Sequence, residues 1–272
     1  MPQLGKILTG IPFKSLRNEI VRLLYNRNGI RLESIEEING GSFWIHKVNG
    51  VFFATEVLNW YRNFESFERD CKQISLAFYK PRAGDTIIDL GAGLGEEAIV
   101  YSKMADNDGK VYAIEANPRI CEVLKRVIDL NNFSNTTVLN LAISDQNGFI
   151  KIEDLEGSYI SGSVHTKKNI KTFSIEALGM DDFMEKFNID KVDLLKVNIE
   201  GAEKYVIQTL IRHFDKVRNF AISCHDFRHK RGESIFFKTR DEVLSFFYNK
   251  GLAVSQQHTE IDHIDDWIYV KA

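Results

Sequence analysis

A run of alternating glycines constrains the fold of this chain more than any other part of its sequence. Gly91, Gly93 and Gly95 follow an apolar strand candidate, Thr86–Leu90. A helix candidate, Gly95–Met104, begins at the last of them. Glycine lets the backbone approach a ligand closely, and the first N–H groups of a helix are free to bind it. This order of strand, glycine loop and helix predicts a nucleotide-type binding site.

Strand-like and helix-like segments alternate from residue 85 onward, which indicates a mainly parallel sheet. The last two strand candidates have no predicted helix between them, so we expect an antiparallel edge hairpin. The prediction is an α/β fold with a doubly wound, mostly parallel, seven-stranded sheet. The strand candidates are Thr86–Leu90, Lys110–Glu115, Thr137–Leu141, Val192–Val197, Asn219–Cys224, Leu252–His258 and Asp266–Val270, and the helix candidates are Gly95–Met104, Arg119–Leu130, Ala202–Phe214 and Arg240–Asn249.

The first 80 residues depart from this alternation and predict a helix and hairpin extension. Two β-rich runs flank Asn49-Gly50, a pair that favours a type I′ turn because both positions tolerate positive φ. Before them, apolar residues recur at helical spacing after Pro12. The predicted apolar face of that helix consists of Leu16, Ile20, Leu23 and Leu24.

The glycine spacing distinguishes between two classes of cofactor. A dinucleotide fingerprint, G-x-G-x-x-G, needs glycine at position 96, where this chain has Glu96. That carboxylate and its neighbour Glu97 would repel a pyrophosphate. Asp89, two residues before the first glycine, suits a ligand with a cationic end. The observed D-x-G-x-G-x-G pattern resembles the first motif of the seven-strand methyltransferases. That resemblance implies a cofactor that carries an ammonium and a sulfonium, rather than NAD.

The ends of the next two strand candidates are expected to hold the rest of an adenosine. Glu115 ends the second strand, where an acidic side chain accepts hydrogen bonds from ribose hydroxyls. Leu141 and Ala142, at the end of the third strand, are expected to line the adenine pocket. The predicted cofactor residues up to this point are Asp89, Gly91, Ala92, Gly93, Gly95, Glu115, Ala116, Asn117, Leu141 and Ala142.

Four short motifs share their spacing with one enzyme family. Residues 195–203 read L-K-V-N-I-E-G-A-E, close to that family's L-K-x-D-x-E-G-x-E. Residues 142–145 are similar to its A-x-S-D, residues 178–183 to its L-D-D stretch, and residues 223–225 to its E-x-H. The chain thus resembles FkbM-type methyltransferases between residues 85 and 225. The resemblance implies a class I methyltransferase fold and S-adenosylmethionine as cofactor.

The chain departs from the family pattern at two positions. Asn198 stands where the family usually has aspartate, and Ser223 replaces the acid of E-x-H. Magnesium prefers carboxylate ligands, so we predict no metal site. Asn198 is still expected to orient the substrate or the methionine end of the cofactor through its amide.

Methyl transfer to an alcohol needs a group that takes the hydroxyl proton. Three side chains near strand ends are candidates for this and other catalytic roles. His225 is the first choice for the general base because its ordinary pKa lies near neutrality. Glu200 is the second, as a substrate ligand or a complement to a helix dipole. Lys196 is the third, as a charge stabiliser or the partner of a structural acid.

The domain organisation predicted from these patterns has two parts. Residues 1–80 form the extension, which is expected to cap the site or lie on its substrate side. Residues 81–272 form the cofactor-binding catalytic domain, with a long insertion at residues 144–190. Insertions of this length are usually either functional or disordered, and we expect this one to help shape the acceptor pocket.

Charge and cysteine pattern decide which partners are expected. A formal net charge of −3 provides no attraction for nucleic acid or an anionic membrane. Cys71, Cys121 and Cys224 form no metal-binding pair, which fits a reducing compartment. No apolar run approaches the roughly 20 residues of a membrane span, and charges interrupt the N-terminus. We expect a soluble cytoplasmic protein without a leader, and a homodimer is compatible with the sequence.

The preferred interpretation is O-methylation of a small-molecule hydroxyl of sugar or natural-product type. Two alternatives stay open. An NAD-dependent oxidoreductase is disfavoured by Glu96, whereas a catalytically degenerate cofactor-binding or scaffold protein is made plausible by Asn198 and Ser223.

Overall fold

The computed structural model describes residues 7–11, 13–153 and 172–272. Its N-terminal part contains α1 (Lys14–Arg27), β1 (Leu32–Ile38), β2 (Phe43–Val48), β3 (Val51–Thr55) and α2 (Phe64–Gln73). The following elements are β4 (Thr86–Leu90), α3 (Glu96–Ala105), β5 (Lys110–Ile114), α4 (Pro118–Leu130), β6 (Thr136–Leu139), β7 (Ala142–Ile143), β8 (Gly148–Glu153), β9 (Thr172–Leu178), α5 (Met180–Lys186), β10 (Leu194–Val197), α6 (Glu203–Thr209), β11 (Asn219–Ser223), α7 (Asp226–Lys230), α8 (Arg240–Asn249), β12 (Val254–Ser255), α9 (Asp262–Asp265) and β13 (Trp267–Lys271).

The central sheet has seven strands in the order β6-β5-β4-β10-β11-β13-β12. Neighbours from β6 to β11 pair in parallel, whereas β13 runs antiparallel to both β11 and β12. The predicted doubly wound, mostly parallel α/β fold is confirmed. One detail was wrong, because the connection between the last two strands contains the short helix α9. The order reverses between β4 and β10, and ligands of such sheets bind at the carboxyl ends beside that reversal.

The described residues of the N-terminal extension include a three-stranded antiparallel sheet and the helices α1 and α2. Asn49 and Gly50 have φ values of 49° and 81°, so the hairpin turn has both positive φ angles expected of type I′. The sheet contains a strand that the sequence patterns did not predict, β1, which pairs with β2.

The apolar face predicted for α1 was partly wrong. Leu16 and Leu23 are exposed, whereas Arg17, Val21 and Tyr25 are buried. Arg17 is buried because its guanidinium lies 4.2 Å from the centre of the Trp44 ring and donates to Glu37 at 2.9 Å. A long basic side chain can bury its stem and still satisfy its charge. Pro12 lies outside the described residues.

Extension and sheet domain share one hydrophobic cluster. Phe53 and Phe67, from the extension, belong to the same buried cluster as Ile99 and Val127 from the helices α3 and α4. Asn131, at the end of α4, also accepts from the N–H of Phe52 at 3.0 Å and donates to its carbonyl at 2.7 Å. The extension therefore packs on the domain through both apolar and backbone contacts.

Helix α6 ends at Thr209, before the predicted end at Phe214. The residues that follow it bind Asp181 on α5 instead of continuing the helix. The Asp181 carboxylate accepts hydrogen bonds from the backbone N–H groups of Ile211, Arg212 and His213, at 2.7 to 3.1 Å. The insertion contains a small sheet, in which β8 pairs antiparallel with β9 and β7 pairs in parallel with β9. Residues 154–171 lie outside the described part of the chain.

Among the described helices, none is long and apolar enough to cross a membrane.

Candidate active site

The glycine loop joins β4 to α3 and passes the end of β10 closely. The N–H groups of Gly91 and Ala92 donate to the carbonyl of Ile114, at 2.9 and 3.0 Å. A Cβ atom added to Gly91 would lie 1.9 Å from the carbonyl oxygen of Asn198. Glycine is required at position 91 because two backbone segments meet there.

A cavity of about 340 Å³ opens beside this loop. Its volume lies in the range of small-molecule sites, about 300–1,000 Å³. Aliphatic side chains such as Ile114, Leu141 and Ile143 line it, together with Ile150 and Ile152 of β8. The predicted cofactor residues that line this cavity are Gly91, Gly93, Glu115, Ala116, Asn117, Leu141, Ala142 and Asn198.

Glu115 provides the polar end of this cavity. One carboxylate oxygen accepts from the N–H of Gly93 at 3.0 Å, and the other accepts from the N–H of Asn117 at 2.8 Å. Burial raises the pKa of Glu115, and these two donors oppose the rise. An ionised carboxylate has about four acceptor positions, so about two remain for ligand hydroxyls. A carboxylate beside an aliphatic slot fits an adenosine, with ribose on Glu115 and adenine between the aliphatic side chains.

Three residues predicted to bind the cofactor do not line this cavity. Asp89 is fully buried and its carboxylate pairs with Lys196. Ala92 belongs to a small apolar cluster with Ala98 and Leu124. A Cβ atom on Gly95 would lie 2.7 Å from Leu124, so this glycine allows α3 to pack on α4. All three belong to the glycine-loop motif, but the side chains of Asp89 and Ala92 and the Cα of Gly95 face the protein interior.

Lys196 is also buried in the interior. Of its two predicted roles, charge stabiliser or partner of a structural acid, its contacts favour the second. Its ammonium lies 2.8 Å from the Asp89 carboxylate, 2.9 Å from that of Glu97 and 3.0 Å from the carbonyl oxygen of Gly91. Burial on its own would lower the pKa of Lys196, but the two carboxylates raise it above its ordinary value. Lys196 lines neither cavity, so it acts as the partner of structural acids.

A second cavity, of about 470 Å³, shares Asn198 and Glu200 with the first. One of its walls comes from the extension: Arg62, Phe67, Asp70, Cys71 and Ile74. The other comes from the sheet domain: Glu96, Glu97, Ser223, His225, Phe227, His263 and Trp267. The described residues of the insertion contribute to the first cavity and not to the second. The substrate-side role of the extension stays a prediction, and these contacts agree with it.

Glu200 and His225 lie at this second cavity in strained backbone conformations. Their φ values are 53° and 51°, in the left-handed region that non-glycine residues rarely adopt. His225 Nδ1 lies 2.7 Å from the Glu203 carboxylate, and Nε2 lies 3.4 Å from that of Glu200. Strained residues that persist at a cleft are characteristic of functional sites.

The charges around His225 argue against its predicted role as the general base. Burial on its own would lower the pKa of His225, but the Glu203 and Glu200 carboxylates raise it to about 10. The ring is therefore an imidazolium near neutral pH and has no free nitrogen to accept a proton. Burial favours protonation of Glu200, but the His225 and Arg228 side chains hold its pKa below its ordinary value.

Sequence patterns missed the polar residues that the extension contributes to the second cavity. Arg62 and Asp70 form an ion pair there, and they come from the extension, where no motif marked them. Glu96 was used only as a mismatch to a dinucleotide fingerprint. Its position directly after the glycine loop was the available signal. Within the described residues, no group of three or more His, Cys, Asp or Glu side chains is arranged to hold a metal ion.

The family described as "Methyltransferase FkbM domain" matches residues 89–269 of this chain. The hexuronic acid methyltransferase AglP of Haloferax volcanii is 23% identical over 154 residues, which are 56% of this chain and 61% of that protein. The 2-O-methyltransferase NoeI of Sinorhizobium fredii is 24% identical over 152 residues, 50% of this chain and 60% of that protein. The chain spans less than two-thirds of the length of the curated relatives it matches.

Among solved structures, an FkbM methyltransferase from Methylobacillus flagellatus is similar to this chain. The two superpose with a TM-score of 0.46 and 19% sequence identity. The superposition covers 68% of this chain and 43% of that one.

Lys196→Met should destabilise the fold strongly. The substitution leaves Asp89 and Glu97 in the interior without their shared cation, and breaking a buried pair in this way costs about 3–5 kcal/mol. Urea unfolding should show that loss in the free energy of unfolding. Lys125→Met, on the exposed face of α4, is the control, and an equal loss in both variants would contradict the assignment.

The stability that His225 contributes should decrease at alkaline pH. Its folded pKa of about 10 lies above the ordinary 6.5, so its contribution is complete below about pH 6.5 and is lost as pH rises towards 10. His225→Gln removes the charge and should flatten the unfolding free energy across this interval. Thermal melts of both proteins at stepped pH values measure the effect, and identical pH profiles would count against it.

Proposed function

The chain belongs to the FkbM methyltransferase family, whose methyl donor is S-adenosylmethionine, and on that premise we propose that it methylates a hydroxyl group of a small sugar or natural-product acceptor. The observation that carries the proposal is the pair of cavities that share Asn198 and Glu200. One fits adenosine, and the other offers space for an acceptor across the shared wall. Holding two reactants in register can contribute about 7–11 kcal/mol to lowering a barrier.

The first cavity supplies a cradle for the donor. Glu115 would hold the ribose, while Leu141 and Ala142 would line the adenine ring. When bound, S-adenosylmethionine supplies an electrophilic methyl group on its sulfonium. Asn198, on the shared wall, has an amide that can donate and accept hydrogen bonds towards either ligand.

The lining of the second cavity favours a polyhydroxylated acceptor. Phe67, Phe227 and Trp267 offer aromatic surface, and the carboxylates of Asp70 and Glu200 lie on the same lining. Sugars combine apolar C–H faces with hydroxyl donors, so an aromatic surface next to carboxylate acceptors suits them. The formal net charge of −3 supports a small molecule rather than nucleic acid as the acceptor.

The name of one relative supports oxygen as the atom that is methylated, and the name of another supports a sugar acid as the acceptor. One relative is a hexuronic acid methyltransferase and the other is a 2-O-methyltransferase. The alignment with each relative covers about half of this chain. Their printed activities therefore guide the choice of acceptors for testing.

Glu115→Ala should weaken the binding of S-adenosylhomocysteine by at least about tenfold. A hydrogen bond to a charged group contributes about 1.5–3 kcal/mol, and the variant removes the proposed acceptor of two ribose hydroxyls. Isothermal titration calorimetry measures the dissociation constant. Glu122→Ala, exposed on α4, is the matched control. Unchanged affinity in Glu115→Ala would show that the ribose binds elsewhere.

The proposed function is tested with methyl-labelled S-adenosylmethionine and a panel of acceptors. The panel contains neutral glycosides, uronates, amino sugars and polyketide-type alcohols, and mass spectrometry locates the methyl group. We expect an O-methyl ether with at least one class. Methylation only at nitrogen or carbon, or no transfer to any acceptor despite cofactor binding, would contradict the proposal.

A further inference from the structure

Four carboxylates line the acceptor cavity, and three of them are already bonded. Asp70 pairs with Arg62. Glu97 binds Lys196 at 2.9 Å and also accepts from the hydroxyls of Ser75 and Tyr101. Glu200 binds His225 and Arg228, as described above. Within the described residues, the fourth carboxylate, Glu96, forms no hydrogen bond and no ion pair.

The backbone places Glu96 at the start of the helix that follows the cofactor loop. It is the first residue of α3 and directly follows Gly95, the last glycine of the cofactor loop. Its side chain lines the acceptor cavity together with Asn198, which also lines the cofactor cavity. Its carboxylate is therefore available to a group that binds in the acceptor cavity.

The surroundings of Glu96 set its affinity for a proton. Burial raises the pKa of Glu96 to about 7. The Arg62 guanidinium opposes the rise, and the negative charges of Glu97, Asp70 and Glu56 add to it. A general base is most effective when its pKa lies near the working pH.

The other charged groups at the cavity are less suited to accept a proton. His225 is an imidazolium near neutral pH. The pKa values of Glu97 and Glu200 are held below their ordinary range by their cationic partners. His263, on helix α9, also lines the cavity but is exposed to solvent.

We propose that Glu96 is the general base of the transfer, an inference that rests on the proposed O-methyltransferase function. As the acceptor oxygen forms its bond to the methyl carbon, its O–H bond breaks and the proton passes to the Glu96 carboxylate. The electron pair of the broken carbon–sulfur bond stays on sulfur, which leaves as a neutral thioether. The neutral carboxyl group of Glu96 then returns its proton to water.

The test compares wild type with Glu96→Gln in steady-state methyl transfer between about pH 5 and pH 9. Wild-type kcat should rise with pH through a midpoint near 7, because Glu96 is a competent base only when ionised. Glu96→Gln should lower kcat by about a hundredfold or more, leave KM nearly unchanged and remove that pH dependence. Glu96→Asp keeps a carboxylate and should retain the pH dependence at a reduced kcat.

A second readout does not depend on turnover. Carboxyl carbon NMR of protein labelled at glutamate should show one resonance that titrates near pH 7 and is missing in Glu96→Gln. Calorimetry with S-adenosylhomocysteine verifies that each variant still binds the cofactor. Glu122→Gln, exposed on α4, is the matched control and should behave as wild type in all three measurements.

Several outcomes would overturn the role of Glu96. They are a kcat of Glu96→Gln within threefold of wild type, a change confined to KM, a larger loss of kcat in His263→Gln, or a Glu96 titration midpoint below about pH 5.5. Equal O-methyl transfer by wild type and Glu96→Gln would reject the base but keep the proposed function. If wild type methylates no hydroxyl acceptor, the proposed function fails and the role of Glu96 fails with it.

Discussion

A single buried ammonium group holds the parts of this active site together. Lys196 extends from β10 and binds the carboxylates of Asp89 on β4 and Glu97 on α3, as well as the carbonyl oxygen of Gly91. Isolated charges are very costly in a protein interior, so these groups are stable there only as a set. The strand before the glycine loop, the helix after it and the neighbouring strand are thereby fixed relative to one another. The close approach of Asn198 to Gly91 depends on the same arrangement.

The two cavities divide the work of the site between different elements. The lining of the proposed donor cavity includes residues at the ends of β4, β5 and β6, where a doubly wound sheet normally binds ligands. The lining of the proposed acceptor cavity combines the extension with the ends of β10 and β11, where Glu200 and His225 have strained backbones. The shared wall, Asn198 and Glu200, is where both ligands would meet.

Local patterns predicted the elements better than they predicted which way side chains face. β4 was predicted to the residue, since an apolar run followed by glycines marks a buried strand that ends in a turn. Asp89 belongs to the same motif but faces Lys196, a residue more than a hundred positions away in the chain. The burial of Arg17 similarly depends on Trp44 and Glu37, which no helical periodicity can reveal. Glu96 was conspicuous in the sequence, yet its surroundings come from the extension and become visible only in three dimensions.

The shared hydrophobic cluster has a consequence for how such a protein can diversify. Phe67, in the acceptor wall, also packs in the cluster that joins the extension to α3 and α4. The segment that shapes the acceptor site is thus not a detachable module, because exchanging it would remove part of the core on which the donor site is built. New acceptor preferences are more accessible through single side chains that face the cavity, such as Arg62 or Asp70, than through recombination of whole segments. Substrate range in this architecture is therefore expected to drift by point substitution while the join between the two parts stays constant.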